Sequence, residues 1–540
     1  MSAANPTANS PPANKSTTPA QPAASGHTQA TMQDWIAVFA GALGALISTL
    51  DISIVNSALP QIQGEIGASG TEGTWISTGY LVSEVVMIPL TAWLSRIFGL
   101  RNLMIGCAAL FTIFSMTCGL SQTLAMMIVG RVGQGFFGGA LIPSAQTIIR
   151  TRLPPKDLPL GMSLFGLIVL IGPLFGPLLG GWLTENASWQ WCFFLNVPVA
   201  AALIGLMVLG LPGEKSNIEE ITHADWLGIL GLSVALSCLT IILEEGQRDR
   251  WFESPLISWL TFASIIGFII LAFAQFTARK PVIKLRLLLN RSYSAVILII
   301  MVIGVVLYSI LYILPQFLVN VAGYNSEQSG RVLFLSGIPA FMMMPILPKL
   351  LKLNLRMVVV LGLVCFAVSC FLDTHLTAQS SGGDFVVSQL LRGVGQVCAF
   401  MPLNQASVGA VSREEAPDAA GLYNMARNLG GSIGLAVLGV FIDRQSTNHI
   451  QTIGASITAN STLAQDRIAQ QAAAMAAQSG DLGYGRLQAM KSLAGTVQQQ
   501  AMVITYSEAF FVLGVCLVCM IPLAFLLKAP KPGQAPAAAE

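Results

Sequence analysis

Fourteen apolar runs of about 20 residues, separated by short polar breaks, limit what this chain can fold into more than any single motif does. They lie near 35–56, 75–95, 102–120, 124–149, 161–183, 191–211, 225–244, 256–277, 293–319, 328–350, 355–373, 384–410, 421–442 and 502–527. Backbone N–H and C=O groups find no water inside a bilayer, so runs this long and apolar predict helices and an all-α integral membrane protein. Composition agrees: 54% of the 540 residues are hydrophobic and 10% charged, more apolar surface than a soluble core can bury. The formal charge of +2 is too small to point to nucleic acid, and no GxxxxGK[ST] loop offers ATP a site. Nine cysteines are scattered through apolar runs. The close pair, Cys516 and Cys519, has no His or second pair beside it, so neither a metal nor a cofactor is expected.

Residues 1–31 are rich in Pro, Ala, Ser and Thr and have no apolar core, which predicts a disordered tail and not a secretory signal. With both chain ends cytoplasmic, most of the 28 Lys and Arg residues fall in cytoplasmic segments, among them Arg96, Arg101, Arg150, Arg152, Lys284, Arg286 and Arg356. That bias supports an even number of spans. The basic stretch 278–292 reads either as an ordinary positive-inside anchor or as a grip on anionic lipid headgroups. The longest polar segment, 444–501, is rich in Ala and Gln (IAQQAAAMAAQ) and can be helical.

Among the ionisable residues inside runs, Arg131, Arg392, Arg427, Asp51 and Glu84 stand out. Each is costly in hydrocarbon unless it is paired or faces water, so these are the functional candidates. Arg131 opens GRVGQGFFGGALIPSAQ, where Gly135 and Gly138 or Gly139 share its helical face and are expected to leave room around the guanidinium. Arg392 opens LRGVGQVCAFMPLNQAS, the same Arg, Gly, Gln, Pro order in the second half, which suggests an internal repeat. Alternatively, Arg392 is a boundary residue that snorkels. Glu84, midway along the second run, is the first choice for proton or cation handling, because a carboxyl group in low dielectric can load and release a proton as the cavity around it opens to either side. Asp51 serves either the same purpose or as a hydrogen-bonded tie between helices. Asp225, Asp373, Asp443 and Glu508 fall near run ends and are expected to be solvated or interfacial.

The fifth run, GMSLFGLIVLIGPLFGPLLGGWL, places Gly172, Gly176 and Gly180 four residues apart with Pro173 and Pro177 beside them. On a helix this makes a side-chain-free stripe that a second helix can approach backbone to backbone. Taken with LDISIVNSALPQI, GRVGQGFFGGALIPSAQTII and WQWCFFLNVP, the stripe resembles the ordered motifs of the fourteen-helix drug/proton antiporters of the major facilitator superfamily, within them the EmrB-like inner-membrane exporters of Gram-negative bacteria. The resemblance covers nearly the whole chain after the tail. One loop departs from it: LSRIFGLRNLM has Ser95 where the superfamily carries an aspartate, while Arg96, Gly99 and Arg101 remain.

This resemblance implies a major facilitator fold of 14 transmembrane helices in a 6 + 2 + 6 order: tail 1–31, a six-helix bundle 32–212, two inserted helices 213–280, a second six-helix bundle 281–528 with a periplasmic loop 444–501, and a tail 529–540. It implies a multi-pass protein of the bacterial inner membrane with both termini cytoplasmic, and a transporter, not an enzyme. Asp51, Glu84, Arg131, Arg392 and Arg427 would serve proton coupling or transport. Gly172, Pro173, Gly176, Pro177 and Gly180 would form the antiporter motif at a bundle interface, and Arg96, Gly99 and Arg101 the cytoplasmic loop motif. Implied partners are protons, membrane lipid, an EmrA-like periplasmic membrane-fusion adaptor docked at 444–501, and a TolC-type outer-membrane channel; a mobile linker is the other reading of that loop. A cavity lined by Met, Phe and Leu suits varied hydrophobic or amphipathic molecules. The expected function is therefore proton-coupled multidrug efflux, with export of one metabolite or siderophore on the same fold, or a non-transporting receptor or scaffold, as alternatives.

Overall fold

The structure is a computed structural model and describes residues 30–527 apart from 155, 215, 218, 223, 279, 280, 344, 345, 413, 414, 458–460 and 480. The tails expected at 1–31 and 529–540 thus lie, but for residues 30 and 31, outside the described residues. Helix α1 (Met32–Ile66) starts on a capping box in which Thr31 Oγ1 accepts from the Asp34 amide and the Asp34 carboxylate accepts from the Thr31 amide. It is followed by α2 (Gly70–Gly73), α3 (Trp75–Phe98) and α4 (Leu100–Gly119). One crossing is made of α5 (Leu124–Gly138) and α6 (Leu141–Arg152); then come α7 (Leu158–Asn186), the single turn α8 (Trp191–Phe194), α9 (Asn196–Gly210) and α10 (Glu219–Thr222). The pair α11 (Trp226–Glu245) and α12 (Pro255–Thr277) comes next. The remainder is α13 (Arg291–Asn320), α14 (Ser326–Phe334), α15 (Gly337–Met343), α16 (Leu347–Leu353), α17 (Leu355–Leu372), α18 (Val386–Gly409), α19 (Ala416–Ser456), α20 (Thr462–Ser479) and α21 (Leu482–Ala524).

Among the described residues, twelve crossings are long and apolar enough to span a bilayer. Of the two other expected runs, 161–183 lies in the unbroken α7. The run at 328–350 is instead split into α14, α15 and α16. Pro339 and Pro348 stand in the first turns of α15 and α16, where proline's missing backbone donor is tolerated but an unbroken helix through the run is not favoured. The polar stretch 444–501 is not a loop. Helices α19 and α21 run on past their apolar parts, and α20 packs along α21, where Gly485 lets the backbone of Ala472 and Ala476 approach closely.

Contacts between loops define two faces. On one, Glu214 accepts from the Leu100 amide at 2.7 Å, Arg150 donates to the Val411 carbonyl at 3.4 Å, and Asn290 donates to the Ala410 carbonyl at 3.0 Å. On the other, Trp189 donates to Glu65 at 2.7 Å and Gln499 donates to the Val321 carbonyl at 3.2 Å. The apolar interior is divided. One cluster is built entirely from residues 295–527, while the clusters around α1, α3, α4 and α9 draw almost wholly on residues 37–293. The pair α11 and α12 is zipped by Gly231 and Gly267, whose missing side chains bring the two backbones together. The far side of α12 exposes Trp259, Phe262, Ile269, Phe273 and Phe276, an apolar surface suited to lipid.

Candidate functional site: a charged seam between the halves

In the middle of α1, Asp51 is fully buried and ion-pairs with the buried Arg131 of α5. Such a pair holds only if its remaining donors and acceptors are satisfied, because both charges have left water. Asp51 Oδ1 accepts from Gln134 Nε2 at 3.1 Å and from Asn196 Nδ2 at 2.8 Å. Arg131 Nη1 also donates to Gln134 Oε1 at 3.1 Å, and Nε donates to the Ile76 carbonyl at 3.2 Å. The guanidinium lies over the Tyr80 ring, 4.4 Å from its centre. Asn196 donates on to Ser115 Oγ at 2.9 Å, so α1, α3, α4, α5 and α9 are joined in one network around the ion pair. Gly135, Gly138 and Gly139 do not make room for the guanidinium, as the sequence suggested. A methyl group at those positions would meet the Tyr80 carbonyl, the Tyr80 hydroxyl and the Glu84 carbonyl, so they let α3 press against the α5–α6 crossing.

One turn beyond Tyr80 on α3, Glu84 is 2% exposed, and its Oε2 has no hydrogen-bond partner. The charged groups near enough to act on it are Arg427, Arg131 and Asp51. Arg427 belongs to α19 of the other half. Its Nε and Nη2 donate to Asn428 Oδ1 at 3.3 and 3.2 Å, and among the described residues it ion-pairs with no carboxylate. The seam is held closed on the face carrying Arg150: Gly421 of α19 sits under the Ile88 carbonyl and Pro89 of α3, and Asn424 donates to Gln146 of α6 at 2.9 Å.

Arg392 does not snorkel. It is buried in α18 and ion-pairs with Asp373, itself 2% exposed and not solvated as its place near a run end suggested. The residue after the end of α17 carries the carboxylate directly to a guanidinium, and pairing is what keeps both inside. The Phe510 ring of α21 completes the surroundings, 5.9 Å from Arg392 Cζ, so this site lies within the second half. Asp225, also expected at the surface, is buried as the cap of α11, accepting from the Gly228 amide at 2.8 Å.

The glycine stripe of α7 faces α1 of the same half, not the other bundle. Methyl groups at Gly172, Gly176 and Gly180 would overlap Thr49, Ser53 and Ser57 of α1, three small residues that repeat at the same four-residue spacing. The hydroxyls turn back to their own helix, Thr49 to the Ala45 carbonyl at 3.1 Å and Ser53 to the Thr49 carbonyl at 3.2 Å, so the stripe itself packs by close approach, while Gln61 of α1 donates to the Thr184 carbonyl of α7 at 3.4 Å nearer the helix ends. What α7 offers the second half is Gly166 against Met401, Pro177 beside Gly330, and the Phe175 ring 5.0 Å from Phe334. Pro173 is part of α7, but its side chain is outside the described residues. Gly176→Ala is expected to destabilise the protein by about 1–3 kcal/mol through overpacking. Gly181→Ala, with nothing within 4 Å of the added methyl, is the control. Melting temperatures in detergent compare the two.

In the loop after α3, Ser95 donates to the Ala92 carbonyl at 2.8 Å, and Gly99 has φ 77°, a conformation that favours glycine. Arg96 crosses to Asp418 of α19 at 3.4 Å. Lys284, from the basic stretch before α13, reaches the other oxygen of the same carboxylate at 2.9 Å. Part of that basic stretch is thus spent inside the protein, while Arg279 and Lys280 lie outside the described residues.

Comparison with known proteins matches residues 41–435 to the family model described as Major Facilitator Superfamily. The chain belongs to that superfamily. It is 32% identical to the Colistin resistance protein EmrB of Acinetobacter baumannii over 437 residues, 80% of this chain and 85% of the relative. It is 30% identical to the Multidrug export protein EmrB of Escherichia coli K12 over 500 residues, 92% of this chain and 95% of the relative. Among solved structures, the proton:xylose symporter XylE superposes with a TM-score of 0.57 at 12% identity, covering 91% of this chain and 95% of that one, which is a likeness of fold alone.

Within this superfamily member, several residues that complete the charged sites were not singled out from the sequence: Gln134, Asn196, Asp418, Lys284, Glu244 and Glu245. Glu245 is 1% exposed on α11; it accepts from Thr78 Oγ1 of α3 at 2.6 Å and ion-pairs with Arg248 at 2.5 Å. Glu244, beside it, accepts from Ser432 Oγ of α19 at 2.8 Å. Both stand at the end of an apolar run, where hydropathy alone reads a solvated boundary.

Proposed function

We propose that the chain is a proton-coupled multidrug efflux transporter that exports hydrophobic or amphipathic toxic compounds across a bacterial inner membrane. What carries the reading is the similarity, over most of both chains, to two relatives named for multidrug export and for resistance to colistin. Glu84 supports the proton part: a carboxylate with an unbonded oxygen, buried where the two halves meet and close to the Arg427 guanidinium, can change its charge when the halves separate. The face with Arg96, Arg101, Arg150 and Lys284 is assigned to the cytoplasm by the positive-inside rule, which puts both chain ends there. The helical extension formed by α19, α20 and α21 then stands in the periplasm and exposes Leu482, Tyr484, Leu487 and Met490. This suits docking of an adaptor subunit that leads to an outer-membrane channel.

The test is efflux of a lipophilic dye such as ethidium from proteoliposomes with an imposed pH gradient. A transporter of this kind lowers dye retention, and a protonophore returns it to the level of empty liposomes. Unchanged efflux after collapse of the gradient would refute proton coupling, and no efflux of any lipophilic probe would refute export.

A further inference from the structure

At its outer end, helix α11 stands between the two halves. Its last two residues are carboxylates turned to opposite sides: Glu245 accepts from Thr78 Oγ1 of α3 at 2.6 Å, and Glu244 accepts from Ser432 Oγ of α19 at 2.8 Å. Thr78 belongs to the first half and Ser432 to the second, so here the halves meet through the inserted helix. Two turns further out on α19, Gly439 faces Gln247, whose Cγ and Cβ lie 3.4 and 3.8 Å from where a Cβ at Gly439 would stand.

The two attachments are unequal. Toward α3, Glu245 also accepts from Thr74 Oγ1 at 3.3 Å and ion-pairs with Arg248, which donates to Thr74 in turn. At the opposite end of α11, Trp226 meets Trp93 of α3 edge to face, with ring centroids 6.1 Å apart. Both ends of α11 are thus fixed to α3, and the Gly231 and Gly267 contact fixes α12 to α11. Toward α19, the hydrogen bond among the described residues is the one from Ser432 to Glu244, and the neighbouring contact is across a bare glycine. Parting α11 from α3 would strip the buried Glu245 of two hydroxyl donors. Parting it from α19 gives up one hydrogen bond at the outer end, where entering water can replace it.

We propose that α11 and α12 move as one body with the first half, and that the contact of Glu244 and Gln247 with Ser432 and Gly439 is an outer latch that opens and recloses in each transport cycle. The opposite face is closed by Gly421 of α19 under α3 and by the Asn424 to Gln146 bond. Alternating exposure needs the outer contact to open while these hold, and to close when they part. This rests on the efflux reading above.

The experiment uses full-length protein in proteoliposomes, with ethidium efflux driven by an imposed pH gradient. The spacing across Gly439 suits a disulfide, whose Cβ atoms stand about 3.5–4.5 Å apart. Gln247→Cys with Gly439→Cys is therefore expected to cross-link under mild oxidant while leaving both carboxylates in place. A latch predicts that the cross-linked protein pumps roughly tenfold or more slowly than the same protein reduced, and that dithiothreitol restores the rate. Wild-type protein taken through the same oxidation keeps its rate. A second pair, Trp93→Cys with Trp226→Cys, joined by a bifunctional methanethiosulfonate reagent, ties α11 to α3 and is expected to pump as fast joined as unjoined. The proposal is overturned if the cross-linked first pair pumps at its reduced rate, or if that pair does not cross-link. It is also overturned if the tie to α3 blocks efflux as strongly, which marks an inserted pair that shifts against both halves. Should the first pair not fold, hydrogen exchange of the wild type decides. Faster exchange over 428–440 during turnover, with 74–80 unchanged, supports the latch, and an unchanged 428–440 refutes it. Wild-type protein that does not pump at all strikes at the efflux reading instead.

Discussion

Replacing Arg131 by Met is expected to lower stability by about 3–5 kcal/mol and to abolish transport, because it leaves Asp51 charged and unpaired in a region without water. Asp51 would keep Gln134 and Asn196 as donors, but two neutral amides do not replace a guanidinium stacked on Tyr80. Asp51→Asn is expected to cost a similar amount by stranding the guanidinium. The double variant, Asp51→Asn with Arg131→Met, removes both charges and should regain most of the lost stability, so the cycle returns a large coupling energy. Transport should stay absent in the double variant if the pair also serves the conformational cycle, since five helices converge on it. Melting temperatures and dye efflux of the four proteins provide the check. Single variants as stable as wild type would show that the pair does not tie the first half together.

How far the sequence could be read depended on the range of the interaction. Spans are local properties, and thirteen of the expected runs lie in helices where apolarity predicted them; the other is helical too, but divided among α14, α15 and α16. Candidate charges were also visible, because Arg131, Glu84 and Asp51 stand out against apolar neighbours. Partners were not. The Asp51 and Arg131 side chains are 80 residues apart, and nothing in helical periodicity states which helix another one faces. The glycine stripe shows the same limit. Its spacing announced a close helix contact, but only Thr49, Ser53 and Ser57, at matching spacing on α1, identify the partner. Asp373, Glu244 and Glu245 were obscured by hydropathy itself, which ends a run at the first charge even when the protein buries that charge against another element.

Glu84→Gln is expected to abolish pH-driven efflux while leaving substrate exchange at equal pH intact. The amide has the size of the protonated acid and its inability to become charged, so the variant should be fixed in the loaded state of the carrier. Nothing in the surroundings of Oε2 requires the acid for folding, because that oxygen makes no hydrogen bond, and stability should change by less than about 1 kcal/mol. This sets Glu84 apart from Asp51, whose oxygens are fully engaged and whose loss is mainly structural. The decisive measurement is proton release on addition of substrate to purified protein in weak buffer. Wild type should release protons and Glu84→Gln should not, while both bind the dye. Equal release from the two would remove Glu84 from the coupling step.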